Sequence, residues 1–158
     1  MSKIPKVIHF CWFGGAEYPE LIKKCIASWK KYLPEYEIIK WSEENFDINC
    51  NQYVKEAYEN KKWAFITDYV RLYALYNYGG VYLDPDVEVL KPIDKFLDDE
   101  AFSGFESRDS VPTAIMASVK GQRFMGELLH DYDDRRLVLE DGSIDMTSNT
   151  VVITESCL

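Results

Sequence analysis

Two aspartates separated by one residue, Asp84 and Asp86, follow the short apolar segment 81–83. On an extended chain, side chains two residues apart point to the same side. The two carboxylates therefore converge, and such oxygens bind a hard divalent cation while leaving positions open for diphosphate oxygens. Pro85 between them has no N–H to give to a sheet, which suits the end of a strand. The spacing predicts a divalent-cation site.

The alternative is an accidental match, because short motifs of this kind recur by chance in an acidic chain. A second Asp-x-Asp occurs at Asp131 and Asp133. There the sequence predicts a helix, on which the two carboxylates would point apart, and we interpret that pair as solvated surface. Asp84 and Asp86 differ, because two carboxylates closing an apolar segment repel each other unless they are paired or bound to a metal.

Asp68 and Arg71 lie three residues apart on a predicted helix, and so on one face of it. One interpretation is a surface ion pair that contributes little to stability. The flanking residues are mostly apolar, however, which predicts a largely buried helix. A buried carboxylate and guanidinium that face a cleft can accept hydrogen bonds from sugar hydroxyls and donate to them.

Trp12 follows an apolar run and precedes Gly14 and Gly15. An indole at that position could stack on a flat nucleobase. The alternative is a tryptophan buried in the core, and that is the better interpretation when Trp12 is considered without its context. His9 is interpreted as a core histidine rather than a ligand.

Composition limits the classes of protein to be considered. With 158 residues, 47% hydrophobic, the chain is expected to form one globular domain over 1–158. A formal net charge of -9 argues against a nucleic-acid partner. The cysteines have no CxxC spacing, which argues against structural zinc and favours a reducing compartment. The N-terminus lacks a signal-peptide run and no segment has the length of a membrane span. We therefore expect a cytoplasmic protein with at most peripheral membrane contact.

The elements that must position these residues alternate along the chain. Strands are predicted at 6–13, 37–41, 81–83, 100–106 and 113–119, and helices at 19–32, 52–60, 62–78 and 123–132. Residues 133–149 are predicted to be a loop, and a further element begins at 150. This order predicts an α/β domain with a mixed, mostly parallel sheet. Ligands of such sheets bind beyond the carboxyl ends of strands, where Trp12, Asp84 and Asp86 are expected.

Several segments together resemble the DXD-containing sugar-transferase family of GT-A glycosyltransferases. The resemblance is to yeast-type initiating α-1,6-mannosyltransferases and bacterial capsular polysaccharide glycosyltransferases, and more distantly to the glucosyltransferase domain of clostridial toxins. It covers nearly the whole chain. The matching segments are 4–15, 28–29, 34–41 and 67–94, with a weaker match at 114–129.

The resemblance implies a single Rossmann-like GT-A domain that binds a nucleotide-sugar donor with Mn²⁺ or Mg²⁺. By residue-to-residue transfer, Trp12 would stack on the base, and Asp68 and Arg71 would hold the donor sugar as the catalytic pair. Asp84 would contact the ribose and a water molecule on the metal, and Asp86 would ligate the metal directly. A divalent cation neutralises the charge that develops on the leaving diphosphate.

The resemblance also implies the reaction. We expect a retaining transfer from a nucleotide sugar, with UDP-sugars favoured over GDP-sugars, to a saccharide or glycolipid acceptor in cell-surface polysaccharide biosynthesis. Such work would place the protein at the inner face of the membrane.

Two departures from the family pattern leave alternatives open. Pro85 stands where the family often has Thr or another small residue, and the chain stops at Leu158 where relatives usually continue. We therefore expect a domain truncated at its C-terminus, whose uncovered apolar surface would favour a homo-oligomer. One alternative is a nucleotide-sugar-binding fragment with weak or no activity. Another is an unrelated acidic α/β interaction domain.

Overall fold

The structure, a computed structural model, describes residues 3–98, 101–103 and 115–144. In chain order its elements are β1 (Val7–Cys11), α1 (Glu20–Tyr32), β2 (Glu37–Trp41), α2 (Gln52–Glu59), α3 (Trp63–Tyr78), β3 (Gly80–Leu83), β4 (Ala101–Ser103), β5 (Ile115–Ser118) and α4 (Arg123–His130). Short 3₁₀ turns occupy Asp94–Phe96 and Asp131–Asp133.

The strands form one five-stranded sheet in the order β2-β1-β3-β5-β4. β1 pairs in parallel with both β2 and β3, whereas β5 is antiparallel to β3 and to β4. Four of the five strands therefore run in the same direction, which confirms the predicted mixed, mostly parallel sheet. The chain leaves β1 toward β2 on one side and later returns to β3 on the other. The carboxyl ends of β1 and β3 thus form a switch point, where α/β sheets bind their ligands.

Helices cover both faces of the sheet. The alternation of β1 sends Ile8 and Phe10 to the face covered by α1, where they pack with Trp29. Cys11 points to the opposite face and joins the core formed with α2, α3 and α4. α3 lies against the sheet with most of its side chains buried, as its apolar composition predicts. No helix in the described part of the chain combines the length and apolar character that crossing a bilayer requires.

Two glycines make the sharp connection between α3 and β3. Gly79 ends the helix with φ 71° and Gly80 begins the strand with φ 118°, both in the region that favours glycine. A Cβ on Gly80 would lie 2.6 Å from the carbonyl oxygen of Val7 in β1. The predicted helix stop is confirmed, and the close approach lets β3 pair directly with β1.

Several element boundaries differ from the prediction. The first strand ends at Cys11 rather than at Phe13, because Trp12 already belongs to the loop that leaves the sheet. The helix predicted to Tyr132 ends at His130, and its last residues form a 3₁₀ turn. The predicted loop is well anchored as far as 144. Residues 100 and 104–106 of the predicted fourth strand and 113–114 of the fifth lie outside the described residues, as do 145–149 of the predicted loop and the element predicted from 150.

One buried carboxylate anchors that loop. Glu56 on α2 accepts hydrogen bonds from Arg136 Nε at 2.7 Å and from the Val138 amide at 3.3 Å. The Arg136 hydrogen bond is the main reason that the pKa of Glu56 is lowered, with burial opposing it. The loop is therefore held against α2 by a charge-assisted pair.

Candidate active site

A cavity of about 500 Å³ opens at the carboxyl ends of β1 and β3, beside the first half of α3. Its lining includes all five side chains that the sequence singled out: Trp12, Asp68, Arg71, Asp84 and Asp86. The structure therefore brings the acidic doublet, the helix pair and the first tryptophan to one place. Their individual roles remain predictions.

Arg71 lies beneath this cavity with only 5% of its side chain exposed. Its Nη2 is 3.2 Å from Asp84 Oδ1 and 3.7 Å from Asp68 Oδ1. Its guanidinium also covers the ring of Tyr82, 4.7 Å from the centroid. Burial acts to lower the pKa of Arg71. Tyr82, Asp84 and Asp68 act to raise it, and the net result is a raised pKa. The predicted helix pair exists, yet the shorter contact of Arg71 joins α3 to the segment after β3.

Asp84 accepts hydrogen bonds through one oxygen. Oδ1 receives the Tyr82 hydroxyl at 2.8 Å and Arg71 Nη2 at 3.2 Å. Burial raises the pKa of Asp84, while Arg71 and Tyr82 counteract it and Asp86 adds to the increase. Asp84 is thus a part-buried carboxylate whose ionised form depends on two neighbours, whereas Asp86 is exposed at the rim.

Two carboxylates in the cavity could hold a divalent cation. Asp84 and Asp86 both line the cavity and could supply hard oxygen ligands. The chain turns between them, with the Val87 amide donating to the Asp84 carbonyl at 2.9 Å, instead of continuing extended as predicted. Across residues 3–98, 101–103 and 115–144, no three His, Cys, Asp or Glu side chains cluster as a metal cage would require. Mg²⁺ is commonly held by one or two carboxylates together with substrate phosphates and water. A site with two carboxylates is compatible with such an ion, and the metal itself stays a prediction.

Trp12 is fixed by the loop after β1. Its amide donates to the Trp41 carbonyl at 2.9 Å, and its indole Nε1 donates to the Ala16 carbonyl at 2.7 Å. The edge-to-face contact with Tyr18 has a centroid separation of 5.1 Å. The ring is only half-buried and lines the cavity. Trp12 is therefore not sequestered in the core, and it presents an oriented aromatic surface.

Sequence reasoning missed two aromatic residues of the site. Trp63, at the start of α3, lines the cavity beside Gly14, whose added Cβ would lie 3.0 Å from the indole. Tyr82 supplies the hydroxyl that binds Asp84. Strand alternation could have identified Tyr82, because it stands two residues before Asp84. No spacing rule relates Trp63 to the loop after β1.

The features interpreted as non-functional lie elsewhere. Asp131 and Asp133 are exposed, and Asp133 pairs with His130, whose Nδ1 is 2.6 Å from its carboxylate. His9 is fully buried in β1, which confirms that it belongs to the core.

Comparison with known proteins places the chain in a family. The profile of the capsular polysaccharide synthesis protein family matches residues 1–137. Inositol phosphoceramide mannosyltransferase 3 of Schizosaccharomyces pombe is 28% identical over 141 residues, covering 82% of this chain and 37% of the relative. The mannosyl phosphorylinositol ceramide synthase SUR1 of Saccharomyces cerevisiae is 30% identical over 129 residues, covering 77% and 32%.

The fold has a solved counterpart. The PaToxG glycosyltransferase superposes with a TM-score of 0.59 at 20% identity, covering 80% of this chain and 58% of that chain. The chain spans about a third of the length of the curated relatives named above. The matched family profile includes β1, α3 and both aspartates after β3. This chain therefore belongs to the capsular polysaccharide synthesis protein family and has the fold of a glycosyltransferase.

Proposed function

We propose that the protein is a glycosyltransferase that moves a sugar from a nucleotide-sugar donor to a saccharide or glycolipid acceptor. The observation that carries this proposal is the single cavity shared by Trp12, Asp68, Arg71, Asp84 and Asp86. Its position at the switch point of the sheet supports it, because that is where α/β folds bind nucleotides. The mannosyltransferase relatives support the reaction class.

The cavity suggests an order for the parts of the donor. The nucleobase would lie against Trp12 and Trp63, the two tryptophans among the residues that line the cavity. The diphosphate would approach Asp84 and Asp86 together with Mn²⁺ or Mg²⁺. The donor sugar would then meet Asp68, which can accept its hydroxyls, and Arg71, which can donate. We expect UDP-sugars to bind better than GDP-sugars.

The chemistry needs stabilisation of a leaving group rather than a strong acid. When the bond between the anomeric carbon and the diphosphate oxygen breaks, its electron pair stays on the oxygen and negative charge builds there. A bound divalent cation supplies charge neutralisation at that position. Arg71 keeps the Asp84 carboxylate oriented at 3.2 Å and favours its ionised form. We propose a retaining outcome, with the acceptor entering the same cavity.

Thermal shift with a panel of donors tests the binding half of this proposal. We expect Mn²⁺ together with a UDP-sugar to raise the melting temperature more than Mn²⁺ or the sugar nucleotide alone, because binding only to the folded state stabilises it. GDP-sugars in the same panel test the base preference. Absence of metal-dependent stabilisation with every donor would contradict the proposed function.

Release of nucleoside diphosphate tests the catalytic half. A glycosyltransferase should hydrolyse its donor slowly even without an acceptor, and faster when a suitable saccharide is added. Binding without any release of nucleoside diphosphate would instead support a nucleotide-sugar-binding protein that lacks turnover. The two assays therefore separate the enzyme from the binding module.

A further inference from the structure

His9 is a fully buried polar side chain in the middle of β1. Its ring joins two elements on either side of the strand. The indole Nε1 of Trp41 in β2 lies 3.1 Å from His9 Nδ1. His9 Nε2 lies 2.8 Å from the carbonyl oxygen of Gly79, at the end of α3. The ring therefore bridges β2 to the connection between α3 and β3.

The chemistry of the two partners fixes where the proton is. An indole N–H can only donate, so His9 Nδ1 must accept and carries no proton. A backbone carbonyl can only accept, so His9 Nε2 must carry the proton and donate to Gly79. Only the neutral tautomer protonated at Nε2 satisfies both contacts. An imidazolium would set a second N–H against the Trp41 indole, which is unfavourable in a buried site.

The groups around the ring do not stabilise a second proton enough to compensate for burial. Burial lowers the pKa of His9 from its ordinary value of 6.5, against smaller opposing effects from the Gly79 carbonyl and Glu37. Glu37 of β2 is the charged side chain that acts on the ring. The ring of Tyr78, from α3, lies 6.3 Å away, and Tyr82 of β3 is the register partner of His9.

The bridge is placed where it sets the geometry of the cavity. Gly79 ends the helix that carries Asp68 and Arg71, and β3 ends at Leu83, directly before Asp84. A Cβ on Gly80 would lie 3.3 Å from His9 Nε2, so the ring packs tightly against the turn. Movement of this turn would change the distance between α3 and Asp84.

We propose that His9 is a positioning residue, held as the neutral tautomer protonated at Nε2, whose protonation releases the α3–β3 turn and weakens donor binding. The binding part of this inference rests on the proposed function. The tautomer does not, and neither does the coupling of His9 to Arg71 through the α3–β3 turn, which ends the helix that carries Arg71. His130, the other histidine of the chain, is 82% exposed and serves as the internal control.

Long-range ¹H–¹⁵N correlation spectra of the histidine-labelled protein test the tautomer. At about pH 7.5 we expect the His9 signal of an Nε2-protonated neutral ring. The Arg71 side-chain resonance should show a shift with the midpoint of His9, in addition to any shift caused by its own partners Asp84 and Asp68. An Nδ1-protonated ring, or an Arg71 resonance with no component at the midpoint of His9, would overturn the proposal.

Donor affinity tests the consequence for the site. Calorimetry with UDP-glucose and Mn²⁺ at about pH 7.5 and at a pH below the His9 midpoint found in the spectra compares wild type with His9→Gln, whose amide can donate and accept but does not titrate. We expect wild type to lose about fivefold more affinity on acidification than His9→Gln, the cost of about one hydrogen bond. His130→Gln should behave as wild type. Equal losses in wild type and His9→Gln would overturn the proposal.

The two failures can be told apart. If UDP-glucose binds to no variant at either pH, the proposed function fails, and the spectra still decide the tautomer and the coupling to Arg71. If His9→Gln does not fold, the titration of His9 and Arg71 in wild type decides the same question.

Discussion

At the scale of residues, the site depends on one buried cation. Arg71 contacts Asp84 and Asp68 and covers the face of Tyr82, so one guanidinium lies against two carboxylates. Such networks are strongly coupled, because each member compensates for the desolvation of another. Removing one member should therefore affect both stability and the charge at the cavity.

Arg71→Met tests the buried cation. The substitution keeps an unbranched stem but removes the buried guanidinium that contacts Asp68 and Asp84, so we expect the free energy of unfolding to fall by about 3–5 kcal/mol. Urea denaturation measures the change. Arg123→Met is the control, because Arg123 is 92% exposed and its ion pair is with Glu127 on the same helix. Equal losses in the two variants would contradict the role assigned to Arg71.

Tyr82→Phe tests the second neighbour of Asp84. The tyrosine hydroxyl lowers the pKa of Asp84, which burial has raised, so its removal should raise the pKa of Asp84 further. The carboxylate would then take up a proton at a higher pH, and Mn²⁺-dependent donor binding would fail at a higher pH on the acidic side. Calorimetry between about pH 4.5 and about pH 7.5 measures the midpoint.

A tyrosine of α3, the helix that packs against the sheet, supplies the control for that experiment. Tyr73 of α3 packs on Trp41 and Phe46 in the core and makes no contact with Asp84 among the described interactions. Tyr73→Phe should leave the acidic midpoint of binding unchanged. If Tyr82→Phe and wild type have the same acidic midpoint of binding, the Tyr82 hydroxyl does not set the pKa of Asp84.

At the scale of elements, much of the arrangement could be predicted and some of it could not. Apolar periodicity and the double glycine located α3 and β3, because they depend on local spacing. Trp12 was assigned to a strand, since the apolar run of β1 continues past the point where the sheet ends. The contact of Arg71 with Asp84 joins residues on different elements, and no local spacing encodes it.

Gly80→Ala tests the close approach of β3 to β1. Gly80 has φ 118°, and its added Cβ would lie 2.6 Å from a backbone oxygen, which cannot move without disturbing the strand. Gly121→Ala is the matched control, because Gly121 also has a positive φ, 73°, but no atom within 4 Å of the added Cβ. We expect the control to cost about 1 kcal/mol and Gly80→Ala about 2 kcal/mol more. Equal losses in urea denaturation would contradict the argument.

At the scale of the whole molecule, the fold brings distant parts of an acidic chain to one end of the sheet. The order β2-β1-β3 places the loop after β1 beside the segment after β3, so Trp12 and Asp84 meet although they are far apart in sequence. Fold class and five cavity residues could be predicted from the sequence. Trp63 could not, because its place opposite Gly14 depends on how α3 packs against that loop.

The formal net charge of the protein, -9, limits how an anionic ligand can bind to it. A nucleoside diphosphate sugar is itself anionic, so the protein as a whole repels it. Apart from Arg71, the charged side chains named in the cavity lining are carboxylates. Donor binding should therefore depend on a divalent cation brought to Asp84 and Asp86.

The most direct measurement is calorimetric titration of UDP-glucose in the presence of Mn²⁺ into wild type, Asp84→Asn/Asp86→Asn and Asp131→Asn/Asp133→Asn. Both double variants remove two charges from an Asp-x-Asp, but only the first pair lies in the cavity. We predict that the first loses more than about tenfold in affinity and that the second binds as wild type does. Unchanged binding in Asp84→Asn/Asp86→Asn, or an equal loss in both, would contradict the account.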